Sequence, residues 1–181
     1  RLVHESGDGE DPLSVPELIA FAVLLLIAGN ETTTNLLGNF VEAMHTHPGE
    51  LQRLRDDPDL VVPAVEEALR YDSPVQGLWR GLTEPAALAG VELPAGAKVM
   101  TLFASANRDR SQYGDDADDF RAERNPVDHI AFGTGIHVCL GAALARLEAR
   151  VAIRTLLART RSIEKAGEPT RPLSPVLRGV R

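Results

Sequence analysis

The feature that most constrains the fold is a nearly unbroken apolar run, "LIAFAVLLLIAG", at residues 18–29. A helix that crosses a membrane needs about 20 predominantly apolar residues, whereas this run ends earlier, at Asn30 and Glu31. The run therefore predicts a core helix of a globular protein that is buried on most of its sides.

Local signals set the ends of this helix. Ser14 precedes the run, and Glu17 follows three residues later, which is the pattern of a capping box. Pro48 stops the helix, because its ring and its missing N–H do not fit a helix interior. We therefore expect one long helix from Ser14 to about residue 45.

Beyond this helix the sequence predicts shorter elements. A short amphipathic helix begins at Pro48, and another covers about residues 60–71. Two strand-like runs flank a Pro-Ala-Gly turn and predict a hairpin within residues 90–100. Residues 105–130 are rich in Asp, Arg and Asn and predict a long irregular stretch, and a last helix is expected over about residues 139–160.

Composition excludes several classes of protein. The net charge of the 181-residue chain is -7, which argues against a general nucleic-acid binder. A single cysteine excludes an internal disulfide, and no Cys/His cluster suggests zinc, so a reducing cytoplasmic compartment is expected. The chain begins with Arg1 instead of Met, and we expect a fragment whose N-terminal part is missing.

The single cysteine, Cys139, lies in a glycine-rich segment at the start of the last predicted helix. A helix N-terminus favours the thiolate, which acts either as a nucleophile or as a metal ligand. Gly133, Gly135 and Gly141 leave room for a flat, bulky group to approach the backbone. The alternatives are a buried structural cysteine and a nucleophile that uses His137 as its base.

A second unusual segment interrupts the long apolar helix. Glu31 places a carboxylate there, and burying it is costly unless it has partners or water. Gly29 and the threonines at residues 32–34 weaken the helix locally. Ala28 and Thr32 share one face, which predicts a helix opened beside a cavity, with an acid and hydroxyls that relay protons. The alternative is a polar seam against another helix.

These motifs together resemble the C-terminal half of a cytochrome P450, a heme-thiolate monooxygenase of the soluble bacterial type, over nearly the whole chain. The residues that match the cysteine-loop signature of that family are Phe132, Gly135, His137, Cys139 and Gly141. Residues 28–33, "AGNETT", resemble its oxygen-activation segment. Glu67 and Arg70, one turn apart, resemble its Glu-x-x-Arg motif, and Arg124 resembles the arginine that completes a network with them.

The resemblance implies a mainly α fold with small β-sheets (α+β) that contains the long central helix, the Glu-x-x-Arg helix, the cysteine loop and the following helix. It implies that residues 1–181 form the C-terminal heme-binding portion of a single larger domain. The implied cofactor is heme b, with Cys139 as the proximal iron ligand. The other residues that the resemblance places at the heme are Ala28, Gly29, Arg80, Phe132, Gly133, His137 and Gly141, of which His137 and Arg80 bind the propionates.

The implied activity is that of an enzyme that activates O2 to hydroxylate or otherwise oxidise a lipophilic small molecule. Glu31 and Thr32 are the catalytic residues and control protons, while Glu67, Arg70 and Arg124 form a buried structural network. Electrons are expected from a ferredoxin-type or flavodoxin-type donor, with no nucleic acid and no membrane among the partners. The expected location is cytoplasmic.

Two other functions stay open at this point. A non-catalytic heme-binding or sensor protein could use the same scaffold, although a sensor has no need for the Glu31 and Thr32 pair. A cysteine-nucleophile hydrolase accounts for Cys139 and His137 but for neither of the other two features, the proton-relay segment and the glycine clearance.

A stripe of arginines on the last helix bears on the electron donor. Arg146, Arg150 and Arg154 recur every four residues and lie roughly on one side. They form either a docking patch for an acidic electron donor or an ordinary solvated face, with some arginines held by Glu148 or by loops.

Overall fold

The computed structural model describes residues 13–180, which form six α-helices and four short β-strands. The helices are α1 (Val15–Thr46), α2 (Pro48–Asp56), α3 (Val61–Tyr71), α4 (Phe103–Ala106), α5 (Arg110–Tyr113) and α6 (Ala142–Arg159). The strands are β1 (Leu78–Gly81), β2 (Ala86–Leu88), β3 (Val91–Leu93) and β4 (Lys98–Thr101). This combination of many helices with small β-sheets agrees with the predicted fold class. The described residues divide into two compact units, residues 13–31 and residues 32–180.

The predicted boundaries of the long helix are confirmed. Ser14 donates its backbone N–H and its hydroxyl to the Glu17 carboxylate at 2.8 and 2.7 Å. The bond from the backbone N–H to the glutamate is one of the two bonds of a capping box. The helix ends at Thr46, two residues before Pro48. Local sequence signals were sufficient here because both ends depend on contacts within the first or last turn.

The prediction that this helix is buried on most sides is wrong for its first half. Val15, Leu24, Leu26 and Ile27 are 69%, 60%, 72% and 63% exposed. In the described part of the first unit, α1 has no second layer of structure to pack against, and a single helix cannot bury its own sides.

By length and composition, α1 is also the one helix among residues 13–180 that could cross a membrane. The core helix of a soluble protein passes the same test, so this property does not distinguish the two.

The core of the second unit lies between the C-terminal part of α1 and helices α2, α3 and α6. Phe120, from the irregular stretch, packs edge to face on Phe40 with 6.3 Å between ring centroids. The main buried side chains of this core are Leu36, Phe40, Met44, Leu54, Val61, Val65, Leu69, Phe120, Ala149 and Ile153. Burial of these side chains joins α3, α6 and the C-terminal part of α1 in one core, and α3 carries the charged residues described below.

The hairpin predicted within residues 90–100 is wrong, because its two strands belong to different sheets. Strand β3 pairs with β2, and β4 pairs with β1, both antiparallel. The real hairpin joins β2 to β3 through Ala89 and Gly90, whose φ angles are 49° and 81°. Positive φ at both central residues is the geometry of the tight turn that best fits the twist of paired strands.

The C-terminal tail is held against the segment that follows α3. The backbone N–H of Gln76 donates to Val176 at 2.7 Å, and that of Arg178 donates to Pro74 at 2.8 Å. Asn39 of α1, which is 2% exposed, donates from its amide to the carbonyls of Asp72 and Arg178 at 2.9 and 3.1 Å. One buried side chain thus links α1, the end of α3 and the tail.

Candidate functional site

Cys139 lies in a loop in front of α6. The helix begins at Ala142, later than the predicted start at residue 139 or 140, because a one-turn helix at Gly135–His137 and an extended Val138 precede it. The N–H of Cys139 donates to the carbonyl of Phe132 at 2.9 Å. This bond fixes the backbone at the cysteine from the opposite end of the loop.

Glycines shape this loop in two different ways. Gly133 and Gly135 have φ angles of +72° and +63°, a conformation that L side chains rarely adopt. Gly141 instead lies beside the thiol, because a Cβ built there would be 3.9 Å from Cys139 Sγ. The first two glycines allow the turn, and the third leaves one side of the sulfur open.

The surface around the thiol is apolar and exposed. Cys139 itself is exposed. The apolar side chains of the loop and of the first turns of α6 are between 58% and 97% exposed, and these are Ile136, Val138, Leu140, Leu144 and Leu147. A group of exposed apolar side chains of this kind is typical of a binding surface. A soft sulfur donor within it fits a flat, apolar, iron-containing group.

The two residues expected to bind propionates lie on separate elements. His137 ends the one-turn helix two residues before Cys139 and is exposed. Arg80 lies on β1, opposite Val99, and donates to the Trp79 carbonyl at 3.1 Å. Within residues 13–180 no hydrogen bond joins Arg80 to His137.

Glu67, Arg70 and Arg124 are in direct contact. Arg70 donates from Nε and Nη2 to the two Glu67 oxygens at 2.7 and 2.8 Å, and both side chains are fully buried. Arg124 Nε donates to Glu67 Oε1 at 3.1 Å. The bidentate geometry and the dry surroundings make this a strong, directional ion pair.

The remaining donors of Arg70 bind backbone in the irregular stretch. Nη1 donates to the carbonyls of Asn107 and Ala117 at 2.9 and 2.7 Å. The buried Asn107 side chain in turn accepts from the N–H of Ile130 at 2.8 Å. Through these bonds the Glu67 network reaches the segment that leads into the cysteine loop.

Glu66, next to Glu67, is not among the residues predicted from the sequence. Its carboxylate is buried and binds Arg146, Arg150 and His129. In "VEEALR" two consecutive glutamates are flanked by apolar residues on both sides, and this pattern could have indicated that both carboxylates lie in packed surroundings.

The arginine stripe is therefore not a row of unpaired charges. Arg146 and Arg150 share the Glu66 carboxylate, with shortest distances of 2.9 and 3.4 Å. Their partner is a residue of α3, not Glu148 or a loop as the solvated-face alternative suggests. Arg154 is 51% exposed and lies 3.8 Å from the exposed Asp59.

The proton-relay candidates lie in the middle of α1. Ala28, Gly29 and Glu31 belong to the first unit and are exposed. Thr32 is the first residue of the second unit and is half-buried. A Cβ built on Gly29 would meet no atom within 4 Å. The helix continues through these residues without interruption.

A comparison with known families decides the class of protein. The family model described as "Cytochrome P450" matches residues 2–177. This chain belongs to the cytochrome P450 family. The resemblance carried by the cysteine loop and the Glu-x-x-Arg motif is thereby confirmed. Members of this family hold heme iron through a cysteine thiolate.

Bacterial cytochromes P450 are similar to this chain in sequence. Cytochrome P450 107B1 of Saccharopolyspora erythraea is 45% identical over 166 residues, which cover 91% of this chain and 41% of that protein. Vitamin D(3) 25-hydroxylase of Pseudonocardia autotrophica is 49% identical over 158 residues, which cover 87% and 39%. The chain thus spans about 40% of the length of these cytochromes P450.

The fold agrees with solved cytochrome P450 structures. That of CYP109Q5 from Chondromyces apiculatus superimposes with a TM-score of 0.93 at 43% sequence identity, covering 99% of this chain and 46% of that one. The predicted fold class is confirmed by this similarity.

Proposed function

We propose that this chain provides the thiolate ligand of a heme-dependent monooxygenase that uses O2 to oxidise a lipophilic small molecule. The observation that carries the proposal is the exposed Cys139 in a glycine-rich loop, surrounded by exposed apolar side chains. The hydroxylase among the similar proteins supports the reaction class. In this proposal residues 1–181 are the C-terminal portion of one larger cytochrome P450 domain.

The proposed cofactor is heme b, and the bound heme supplies O2 binding and reductive activation. Cys139 is the iron ligand in this proposal, and His137 and Arg80 bind the propionates through charged or polar hydrogen bonds. Phe132 and the loop glycines, Gly133 and Gly141, provide the surface on which the ring lies.

The residues of α1 are proposed to control protons. Thr32 holds a proton donor at the oxygen site, and Glu31 exchanges protons with solvent. The exposure of the Glu31 side chain supports this role, because a carboxylate in contact with water can be reprotonated quickly. Ala28 and Gly29 carry little or no side chain and leave space beside them.

The buried network of Glu67, Arg70 and Arg124 is proposed to hold the cysteine-loop side of the domain rigid. Its support is the hydrogen bond that the N–H of Ile130 donates to the Asn107 side chain, because the carbonyl of Asn107 accepts from Arg70 and so connects the network to the start of the loop. A rigid support is what an iron ligand needs if its direction is to stay constant.

The proposed electron donor is a ferredoxin or a flavodoxin. Arg154 is the most exposed arginine of the stripe on α6 and is the residue through which an acidic donor would be attracted. The proposed location is cytoplasmic, without nucleic acid or membrane as partners. The net charge of -7 and the similarity to bacterial enzymes support these choices.

Replacement of the thiol tests this function. In the full-length protein loaded with heme, Cys139→Ser should abolish the strongly red-shifted Soret band of the reduced carbon-monoxide complex, because a hydroxyl is a poor iron ligand at neutral pH. Thr155→Ser, at an exposed position of α6 outside the cysteine loop, is the control and should keep the band. A red-shifted band that persists in Cys139→Ser would refute the assignment of the iron ligand.

A further inference from the structure

Glu66 has a role that the family motif and the functions proposed above do not cover. Its side chain is 9% exposed, and its two oxygens accept from Arg146 Nε at 2.9 and 3.0 Å. One of them also bonds His129 Nε2 at 3.1 Å, and Arg150 Nη2 lies 3.4 Å away. One carboxylate therefore connects α3, α6 and the segment before the cysteine loop.

His129 is held from both ring nitrogens. Its side chain is 2% exposed, and its Nδ1 accepts from the N–H of Ala131 at 3.2 Å. Because Nδ1 is the acceptor, the ring hydrogen lies on Nε2, which donates to Glu66. The Ala131 N–H and the Glu66 carboxylate together fix the tautomer and the orientation of this ring.

Glu66 remains charged at neutral pH. Burial raises the pKa of its carboxyl, but hydrogen bonds from His129 and Arg146 and the charge of Arg146 outweigh burial, so the pKa is below its usual value. A charged carboxylate holds both partners more firmly than a neutral one.

Two of the three partners of Glu66, His129 and Arg146, contact the ring of Phe132. The His129 and Phe132 ring centroids are 6.1 Å apart, and the guanidinium carbon of Arg146 lies 4.6 Å from the Phe132 centroid. A cation over the face of an aromatic ring is attracted to it. The carbonyl of the same residue, Phe132, accepts the N–H of Cys139.

We propose that Glu66 is a positioning residue for the thiolate. Through His129 and Arg146 it fixes Phe132, and through the Phe132 carbonyl it fixes the backbone of Cys139 and the direction of the sulfur. This inference rests on the proposed function, since it requires Cys139 to be the heme ligand. The competing role is a purely structural connection between α3 and α6.

The experiment compares two carboxylates of low exposure in the heme-loaded, full-length protein. Glu66→Gln is the test, and Asp72→Asn is the matched control. Asp72 has a 12% exposed side chain and two arginine partners, Arg171 at 3.1 Å and Arg178 at 2.8 Å, and it holds the tail. The readouts are the unfolding midpoint and the fraction of red-shifted Soret band in the reduced carbon-monoxide complex, recorded well below the midpoint of every variant.

Glu66→Gln should lose at least half of the red-shifted band while Asp72→Asn keeps it, even though both variants unfold at lower temperature. Phe132→Leu should show the same loss, and the double variant should lose little more than the larger single loss, because both changes act along one route. If Glu66→Gln does not fold, His129→Gln, which leaves Glu66 paired with Arg146, replaces it with the same expectation.

Two outcomes would overturn the inference alone. In the first, the midpoint of Glu66→Gln falls but its band equals that of the wild type, which shows a structural connection only. In the second, Asp72→Asn loses as much of the band as Glu66→Gln. A wild-type protein without the red-shifted band would instead refute the proposed function, and this inference with it.

Discussion

The two sides of the cysteine loop differ in the kind of contact that defines them. Behind the loop, α3 buries eight of its eleven residues, among them Glu66, Glu67 and Arg70, so its position is determined by contacts within the chain. In front of the loop, Ile136 and Leu140 are 97% and 84% exposed. Contacts with the buried side of the chain determine the shape of the loop, and its exposed side remains accessible to a ligand.

Proteins usually bury apolar side chains and expose charged ones, whereas around this loop the charged side chains are buried and the apolar ones are exposed. Buried ion pairs contribute little net stability, because desolvation offsets their attraction. Their value here is directional, since Arg70 reaches Asn107 and Glu66 reaches His129 with fixed geometry. The exposed apolar side chains in front of the loop, in contrast, contribute favourable free energy only when a ligand covers them and removes them from water.

The largest expected effect is on the buried side. Arg70→Ala leaves the buried Glu67 carboxylate with Arg124 and the backbone N–H of Arg121 as partners, and should reduce the free energy of unfolding by about 3–5 kcal/mol. Arg121→Ala is the matched control, because Arg121 also pairs with carboxylates, those of Asp116 and Glu123, but is 51% exposed, and it should cost less than about 1 kcal/mol. Urea denaturation of both variants measures the difference. Similar losses would show that burial does not separate these two networks.

A smaller effect should distinguish the two faces of α6. Ile153→Val removes one methylene from a side chain that is 1% exposed and should cost about 1 kcal/mol. Leu144→Val, at a position that is 59% exposed, should change the stability of this chain by less than about 0.5 kcal/mol. Leu144→Val should weaken heme retention in the full-length protein, measured by transfer of heme to an excess of apomyoglobin. Unchanged retention would show that Leu144 does not contact the cofactor.

The smallest expected effect concerns electron transfer. Arg154→Glu reverses an exposed charge without disturbing Glu66, and stopped-flow reduction by an acidic ferredoxin should slow at low ionic strength and recover at high salt. Arg146→Glu is unsuitable for this purpose, because it places a second carboxylate against the buried Glu66. Equal rates for Arg154→Glu and wild type at low salt, with an unchanged heme spectrum, would exclude docking through this residue.

Sequence reasoning succeeded where contacts are local. The capping box at Ser14, the stop before Pro48 and the α3 helix follow from signals within one or two turns. It failed for the hairpin, because the partner of β4 is β1, about twenty residues away. It also failed for Glu66, whose partners lie 63 to 84 residues further along the chain and become neighbours only after packing.

The candidate site divides in the same way. The glycine pattern around Cys139 could be interpreted from the sequence because each glycine acts on its own loop. The arginine stripe could not, because the periodicity that places Arg146 and Arg150 on one side of α6 does not show that α3 brings a carboxylate to them.

The amide of Asn39 has a consequence for the order in which the chain is made. Its two acceptors, the carbonyls of Asp72 and Arg178, follow it by 33 and 139 residues. During synthesis the first acceptor emerges early, whereas the second emerges much later. Until then one hydrogen of a side chain destined for the interior has to be satisfied by water, so the core around α1 stays open to solvent. Closure of this part of the core therefore waits until Arg178 has been synthesised, and a nascent chain halted before Arg178 is exposed to proteases and chaperones at this point.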